Sequence, residues 1–174
     1  MTRGNSMFIV LNGPLGIGKS TLAEALTESL DSCVWLDGDR LTAINPPPAD
    51  ELEHLHSTIE LLVAHHRRIG YRHFVIDHVW RNSAELSDLR RRLTAISADS
   101  EVRCFLLTLP MDENLRRIER RQQARAIDER AFEQATVIEE REALARSSDL
   151  GEPLDVSAPP SELVATILSR LALT

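Results

Sequence analysis

At 174 residues the chain suits one domain and is long enough to bury a sizeable core. Its 43 % hydrophobic and 27 % charged residues are ordinary for a globular fold, while a formal charge of −7 argues against a general nucleic-acid partner, which would present a basic face. No apolar run reaches membrane-span length and the start does not read as a signal peptide, so the expectation is a cytoplasmic protein without a membrane partner.

Residues 7–12 (MFIVLN) form a short apolar run and predict a buried strand. A glycine-rich stretch, 13–18, follows, and then helical spacing over 20–30 through Leu22, Ala25, Leu26 and Leu30. Residues 33–36 predict a second strand, closed by Asp37-Gly38-Asp39. The prolines at 46–48 forbid regular structure. Asp50 is placed to cap a helix through Leu52, Leu55, Ile59, Leu62 and Val63 that ends at Gly70. A third strand begins at Phe74 and ends at Asp77, and Ser83 is placed to cap a helix with Leu86, Leu89, Leu93 and Ile96 on one face. Residues 102–109 predict a fourth strand, stopped by Pro110. Asp112 is then placed to cap an arginine-dense helix, and a further helix is expected over 131–146. Residues 154–156 predict a fifth strand, and Pro160-Ser161 opens a last helix. Five continuously apolar strands alternating with helices predict an α/β fold whose parallel sheet is covered on both faces. Without an internal repeat or linker, 1–174 reads as a single domain. Cys33 and Cys104 sit in apolar runs and read as buried free thiols.

One motif carries specific chemistry. Gly13-Pro14-Leu15-Gly16-Ile17-Gly18-Lys19-Ser20 fits G-x-x-x-x-G-K-[ST], between a predicted strand and a predicted helix as that motif requires. Its glycines let backbone N–H groups converge on phosphate oxygens, and the following helix, with Thr21 in its first turn, adds its positive end. Lys19 is expected to reach the β and γ phosphates, and the Ser20 hydroxyl to ligate Mg²⁺. Of 20 basic residues, 19 are arginine; Lys19 is the chain's single lysine. The two are not interchangeable on a phosphate, so the placement points to function.

Three acids fall at strand ends, where α/β folds bind ligands. Asp39 is the candidate base for an acceptor hydroxyl, and Asp37 and Asp77 are candidates to hold Mg²⁺ through water. Asp37-Gly38-Asp39 also suits a plain turn. An acid ending an apolar strand, as Asp77 does, needs a partner. Arg116, Arg117, Arg120, Arg121 and Arg125 crowd one helix; Arg117 and Arg121 share a face, where they could neutralise a transferring phosphoryl group. The bland alternative is a solvated helix paired with Glu113 and Glu119. His78, Trp80 and Arg81 suit either an acceptor pocket or, for Trp80, the core.

Through FIVLNGPLGIGKSTLAEAL, WLDGDRLTAINP, FVIDHVW, FLLTLPMDENLRRIERR and LDVSAPPSELV, the chain resembles small P-loop kinases. The likeness is to those around shikimate kinase, gluconate kinase and chloramphenicol phosphotransferase, and to tunicamycin-resistance proteins. The resemblance implies a P-loop three-layer fold with strand order 2-3-1-4-5 and a mobile helical lid at about 117–147. It implies ATP and Mg²⁺ as cofactors, Asp39 on the acceptor, Arg117 and Arg121 near the nucleotide phosphates, and the stretch holding Ser157 and Pro159 against adenine. The expected activity is phosphoryl transfer to the hydroxyl of a small molecule, by a monomer or homodimer. A nucleoside or nucleotide kinase using Arg40 and Arg81, or a nucleotide-binding module without transfer chemistry, stands as the alternative. A GTPase switch is set aside, since its base-reading N-K-x-D motif needs a second lysine.

Overall fold

The computed structural model describes residues 6–96, 100–121 and 127–172, without the side chains of 121 and 127–130. Its strands are β1 (Met7–Asn12), β2 (Cys33–Asp37), β3 (His73–His78), β4 (Glu101–Thr108) and β5 (Glu152–Asp155). Its helices are α1 (Lys19–Ser29), α2 (Gly38–Leu41), α3 (Glu51–Arg68), α4 (Ser83–Ile96), α5 (Met111–Arg121), α6 (Ile127–Ala145) and α7 (Pro160–Arg170). The strands form one parallel sheet ordered β2-β3-β1-β4-β5, the order that the resemblance implies.

β1 is central, and every one of its residues is buried. Because side chains alternate across a strand, Met7, Ile9 and Leu11 enter a core with α1 and α7. Phe8 and Val10 enter the opposite core, with α3 and α4. This two-sided burial is why MFIVLN reads as an unbroken apolar run rather than an alternating one. Each fully buried Leu, Ile or Phe there contributes about 1.5–3 kcal/mol over an exposed one. Cys104 is buried and Cys33 half-buried; both are free thiols, and burial pushes Cys33 up to about 11. Among the described residues no helix is long and apolar enough to cross a membrane.

Three helix starts differ from expectation. Asn82, not Ser83, caps α4: its Oδ1 accepts from the Glu85 N–H at 3.0 Å, while Glu85 accepts from the Asn82 amide and the Arg81 N–H, both at 2.7 Å. Asp112 lies inside the first turn of α5, whose Asn114 N–H already reaches the Pro110 carbonyl at 3.0 Å. Asp37 starts the one-turn helix α2, accepting from the N–H groups of Asp39 and Arg40 at 3.0 and 3.2 Å.

Trp80 belongs to the core and is fully buried. Asn12, at the polar end of β1, accepts the Trp80 N–H at 2.9 Å and donates to the carbonyls of Trp80 and Leu150 at 3.1 and 3.3 Å. The indole N–H donates to His56 Nε2 at 3.0 Å. His56 therefore carries its proton on Nδ1, 2.9 Å from Asp88 Oδ2, and donates it there. The chain of bonds ties α3 to α4 and fixes the segment that follows β3. Trp80→Phe removes the donor and leaves a buried ring nitrogen unpaired, so stability should fall by about 1–3 kcal/mol. Urea unfolding followed by circular dichroism, with an unchanged m-value, checks this.

Candidate active site

Parallel strands of this order leave a crevice at their carboxyl ends, and the 13–20 loop emerges there from β1. The loop is shaped by residues that only small side chains can satisfy. Gly16 has φ +74°, and a Cβ there would lie 2.4 Å from Ile118 Cγ1. Gly18, at φ +112°, begins α1.

Neighbouring helices hold the loop from outside. Asn114 donates to the Leu15 carbonyl at 3.1 Å, and Arg117 donates to the Ile17 carbonyl at 3.0 Å. Glu140 of α6 accepts from the Leu15 N–H at 2.7 Å. Arg141 donates to the Asn114 side chain at 3.2 Å and to the Leu109 carbonyl at 2.9 Å, locking α6 against α5 and the end of β4. Lys19 is nearly buried, its ammonium 2.9 and 3.2 Å from the Gly13 and Pro14 carbonyls.

On one flank of the loop lies a cleft of about 580 Å³. Gly16, Gly18 and Thr21 line it from the loop side, Arg117 and Arg120 from α5, and Ser157 and Pro159 from the segment before α7. Arg117 spans it, its second nitrogen donating to the Val156 carbonyl at 2.9 Å. Arg117 thus fastens the cleft's two walls, whereas Arg116 makes exposed ion pairs with Asp112 and Glu113, the bland arrangement. The side chain of Arg121 lies outside the described residues.

The three strand-end acids have different surroundings. Asp77 is buried, accepting from the Ser20 hydroxyl at 3.2 Å and the Trp35 indole N–H at 2.6 Å. Burial raises its pKa above the ordinary aspartate value, and the Asp37 charge adds to this. Asp37 stands beside it in register, but caps α2 with one oxygen and pairs with Arg40 at 3.3 Å through the other. Asp77 is thus the acid that meets Ser20. Asp39 lies against His78 Nδ1 at 3.0 Å; that hydrogen bond lowers its pKa, with a smaller contribution from the Lys19 charge. Gly38 makes the approach possible, since a Cβ there would lie 2.7 Å from His78 Cβ and 2.8 Å from the Asp77 carbonyl oxygen.

Asp39 and His78 open onto a second cavity of about 550 Å³, walled also by Glu51, Arg81, Phe132 and Glu140. Glu140 faces this cavity while bonding the loop. Sequence reasoning missed Glu140, Asn114 and the partnership of His78 with Asp39, because each depends on contacts between distant segments.

The sequence profile of the AAA domain family AAA_33 matches residues 8–146. The chain belongs to that family. The match runs from β1 to the end of α6 and leaves β5 and α7, with Ser157 and Pro159, beyond it. No curated protein matches this AAA-domain chain. Solved structures share its fold. A gluconokinase from Sinorhizobium meliloti 1021 has TM-score 0.69 at 20 % identity, over 97 % of this chain and 91 % of its own. The tunicamycin resistance protein of Deinococcus radiodurans has TM-score 0.70 at 20 % identity, over 98 % of each chain. A shikimate kinase from Bacteroides thetaiotaomicron has TM-score 0.58 at 15 % identity, over 95 % of this chain and 98 % of its own. The P-loop kinase-like fold that the sequence motifs implied is thus the observed one.

Gly16→Ala should destabilise the loop by about 1–2 kcal/mol from its left-handed backbone alone, and more from the contact with Ile118. In an Ile118→Ala background, which carries its own cavity cost, Gly16→Ala should cost only the backbone term. Urea midpoints of the single and double variants measure both.

Proposed function

We propose that this AAA-domain protein binds ATP with Mg²⁺ in the cleft beside Thr21 and Ser157 and transfers the terminal phosphoryl group to a hydroxyl of a small molecule in the cavity beside Asp39. The observation that carries this reading is the pair of cavities flanking one phosphate-type loop, with an acid of lowered pKa facing the second. The fold it shares with a gluconokinase and a shikimate kinase supports the reading.

In the proposed reaction the amides of residues 13–20 and the Lys19 ammonium grip the phosphates. Ser20 and Asp77 present hard oxygen donors 3.2 Å apart, a set that fits Mg²⁺ completed by phosphate oxygens and water. Bound there, Mg²⁺ would neutralise charge on the β and γ phosphates. Asp37 serves α2, so Asp77 is the better supported of the two metal candidates. Asp39 orients the acceptor hydroxyl and takes its proton, and His78 fixes the carboxylate's direction. Arg121, which shares a helix face with Arg117, is assigned to the developing charge of the transferring group. Ser157 and Pro159 border the base end of the cleft, and α6, within the lid segment 117–147, closes over the acceptor. The chain would act as one unit, a cytoplasmic monomer or homodimer. Of the cations a nucleotide acceptor would use, Arg81 is 3.5 Å from Glu139 and Arg40 3.3 Å from Asp37, which favours a small non-nucleotide acceptor.

An ADP-release assay across hydroxyl compounds should show turnover that drops by about 100-fold or more in Lys19→Ala and in Asp39→Asn, with far-ultraviolet circular dichroism unchanged. Binding of Mg-ATP by calorimetry with no transfer to any hydroxyl would instead indicate a nucleotide-binding module.

The pH profile adds a second check. A base whose pKa is lowered stays ionised as the solution is acidified, so the acid limb of kcat/KM should fall below the ordinary aspartate range. Removing the lowering hydrogen bond in His78→Ala should move that limb to higher pH. A limb unmoved by this substitution would assign the base elsewhere.

A further inference from the structure

The second cavity has an unbalanced lining. Asp39, Glu51, Glu85 and Glu140 contribute four carboxylates, and Arg81 is the one guanidinium among the described lining residues. Arg81 is occupied by Glu139, which lies outside the cavity. Glu85 spends both oxygens on the Arg81 N–H and the Asn82 amide. Asp39 has one oxygen on His78. Glu140 decides the matter. It is only 6 % exposed, and its carboxylate has a single partner among the described residues, the Leu15 N–H on Oε2. No described residue donates to its other oxygen, in a side chain that lines the cavity. A carboxylate buried to this degree calls for a cation or further donors. Among the described residues no trio of metal-ligating side chains is present to make that cation a protein-held metal.

Resting on the phosphotransfer reading above, we propose that the acceptor is an amine-bearing hydroxyl compound, of the amino-sugar, aminocyclitol or amino-alcohol class, whose ammonium sits against Glu140 while its hydroxyl meets Asp39. An ammonium brings three donors and a positive charge, which no described residue gives Glu140 Oε1 or the exposed Glu51. Phe132 is 72 % exposed and walls the same cavity, which places an aromatic side chain at hand for a cation. Carboxylate- or phosphate-bearing acceptors would meet like charge, and neutral polyols would leave the carboxylates unmatched.

The experiment pairs binding with turnover. Calorimetry in the presence of a non-hydrolysable Mg-ATP analogue is run on matched compounds: glucosamine, glucose and gluconate; 2-deoxystreptamine and myo-inositol; serinol and glycerol. ADP release is measured on the same set. The expected result is that at least one amine binds and turns over about tenfold or more better than its neutral partner, with gluconate poorest. E140Q keeps an oxygen for the Leu15 N–H but not the charge. Whatever the altered loop contact costs both compounds alike, it should erase the amine preference, lowering the amine-to-neutral ratio of kcat/KM by about tenfold. The exposed E51Q should reduce the preference less, and added salt should weaken it. Amine binding that depends on Glu140 without ADP release would uphold the ligand class and overturn the transfer reading. Turnover with neutral or anionic compounds preferred, or an E140Q loss equal for amine and neutral partner, would overturn the amine proposal and leave transfer standing. If no amine binds and none turns over, the amine proposal is overturned.

Discussion

A loop that turns its amides inward onto a ligand cannot satisfy its own backbone, and has to be held from outside. Here the Leu15 and Ile17 carbonyls take side-chain donors from Asn114 and Arg117 of α5, and the Leu15 N–H is met by Glu140 of α6. Lys19 bonds the carbonyls of Gly13 and Pro14. These bonds let eight residues keep a curled shape that is unfavourable in isolation. They also make the loop inseparable from α5 and α6. Gly16 is the point of closest approach: with no side chain it lets Ile118 pack against the loop, and any larger residue would push α5 away.

That attachment joins walls of the two cavities to one loop. Arg117 joins the loop to the segment before α7, which walls the cleft lined by Gly16, Gly18 and Thr21. Glu140 joins the same loop to the second cavity, and the adjacent Arg141 pins α6 to Asn114 and to the end of β4. The link is short, running from the loop to the second cavity through the Glu140 side chain.

Much of this was legible in the sequence because it is local. The loop is a contiguous eight-residue pattern, and strand and helix periods follow from neighbouring residues, so sheet composition and the positions of Lys19, Ser20, Asp37, Asp39 and Asp77 could be placed in advance. The sheet order came from resemblance, not from periodicity. Helix starts were less legible where two capping residues compete: Asn82 wins over Ser83 because Glu85 reciprocates, and Pro110 sets the start of α5 ahead of Asp112. The partners of the site were illegible. Glu140 lies 125 residues from Leu15, and His78 lies 39 residues from Asp39, in segments whose local patterns show only a charged helix and a strand end. Asn12 and His56, which fix Trp80 in the core, are silent in the same way.

The acids at the strand ends show how one crevice gives two carboxylates opposite surroundings. Asp77 and Asp39 both follow the sheet's carboxyl edge, yet their surroundings push them in opposite directions. Burial raises Asp77, with a second carboxylate in register beside it, and such a group gains most from a cation. His78 lowers Asp39 by holding the charged form. A lowered pKa makes a weaker base, which would be a handicap in a reaction limited by proton removal. Phosphoryl transfer through a loose transition state makes little such demand, because the hydroxyl need only be oriented and its proton can leave late. An Asp39 whose charged form is favoured by His78, and which the bare Cα of Gly38 admits, suits that chemistry better than a stronger but unpaired base. The divergence of the two acids therefore agrees with positioning, more than acid–base strength, as what this site supplies.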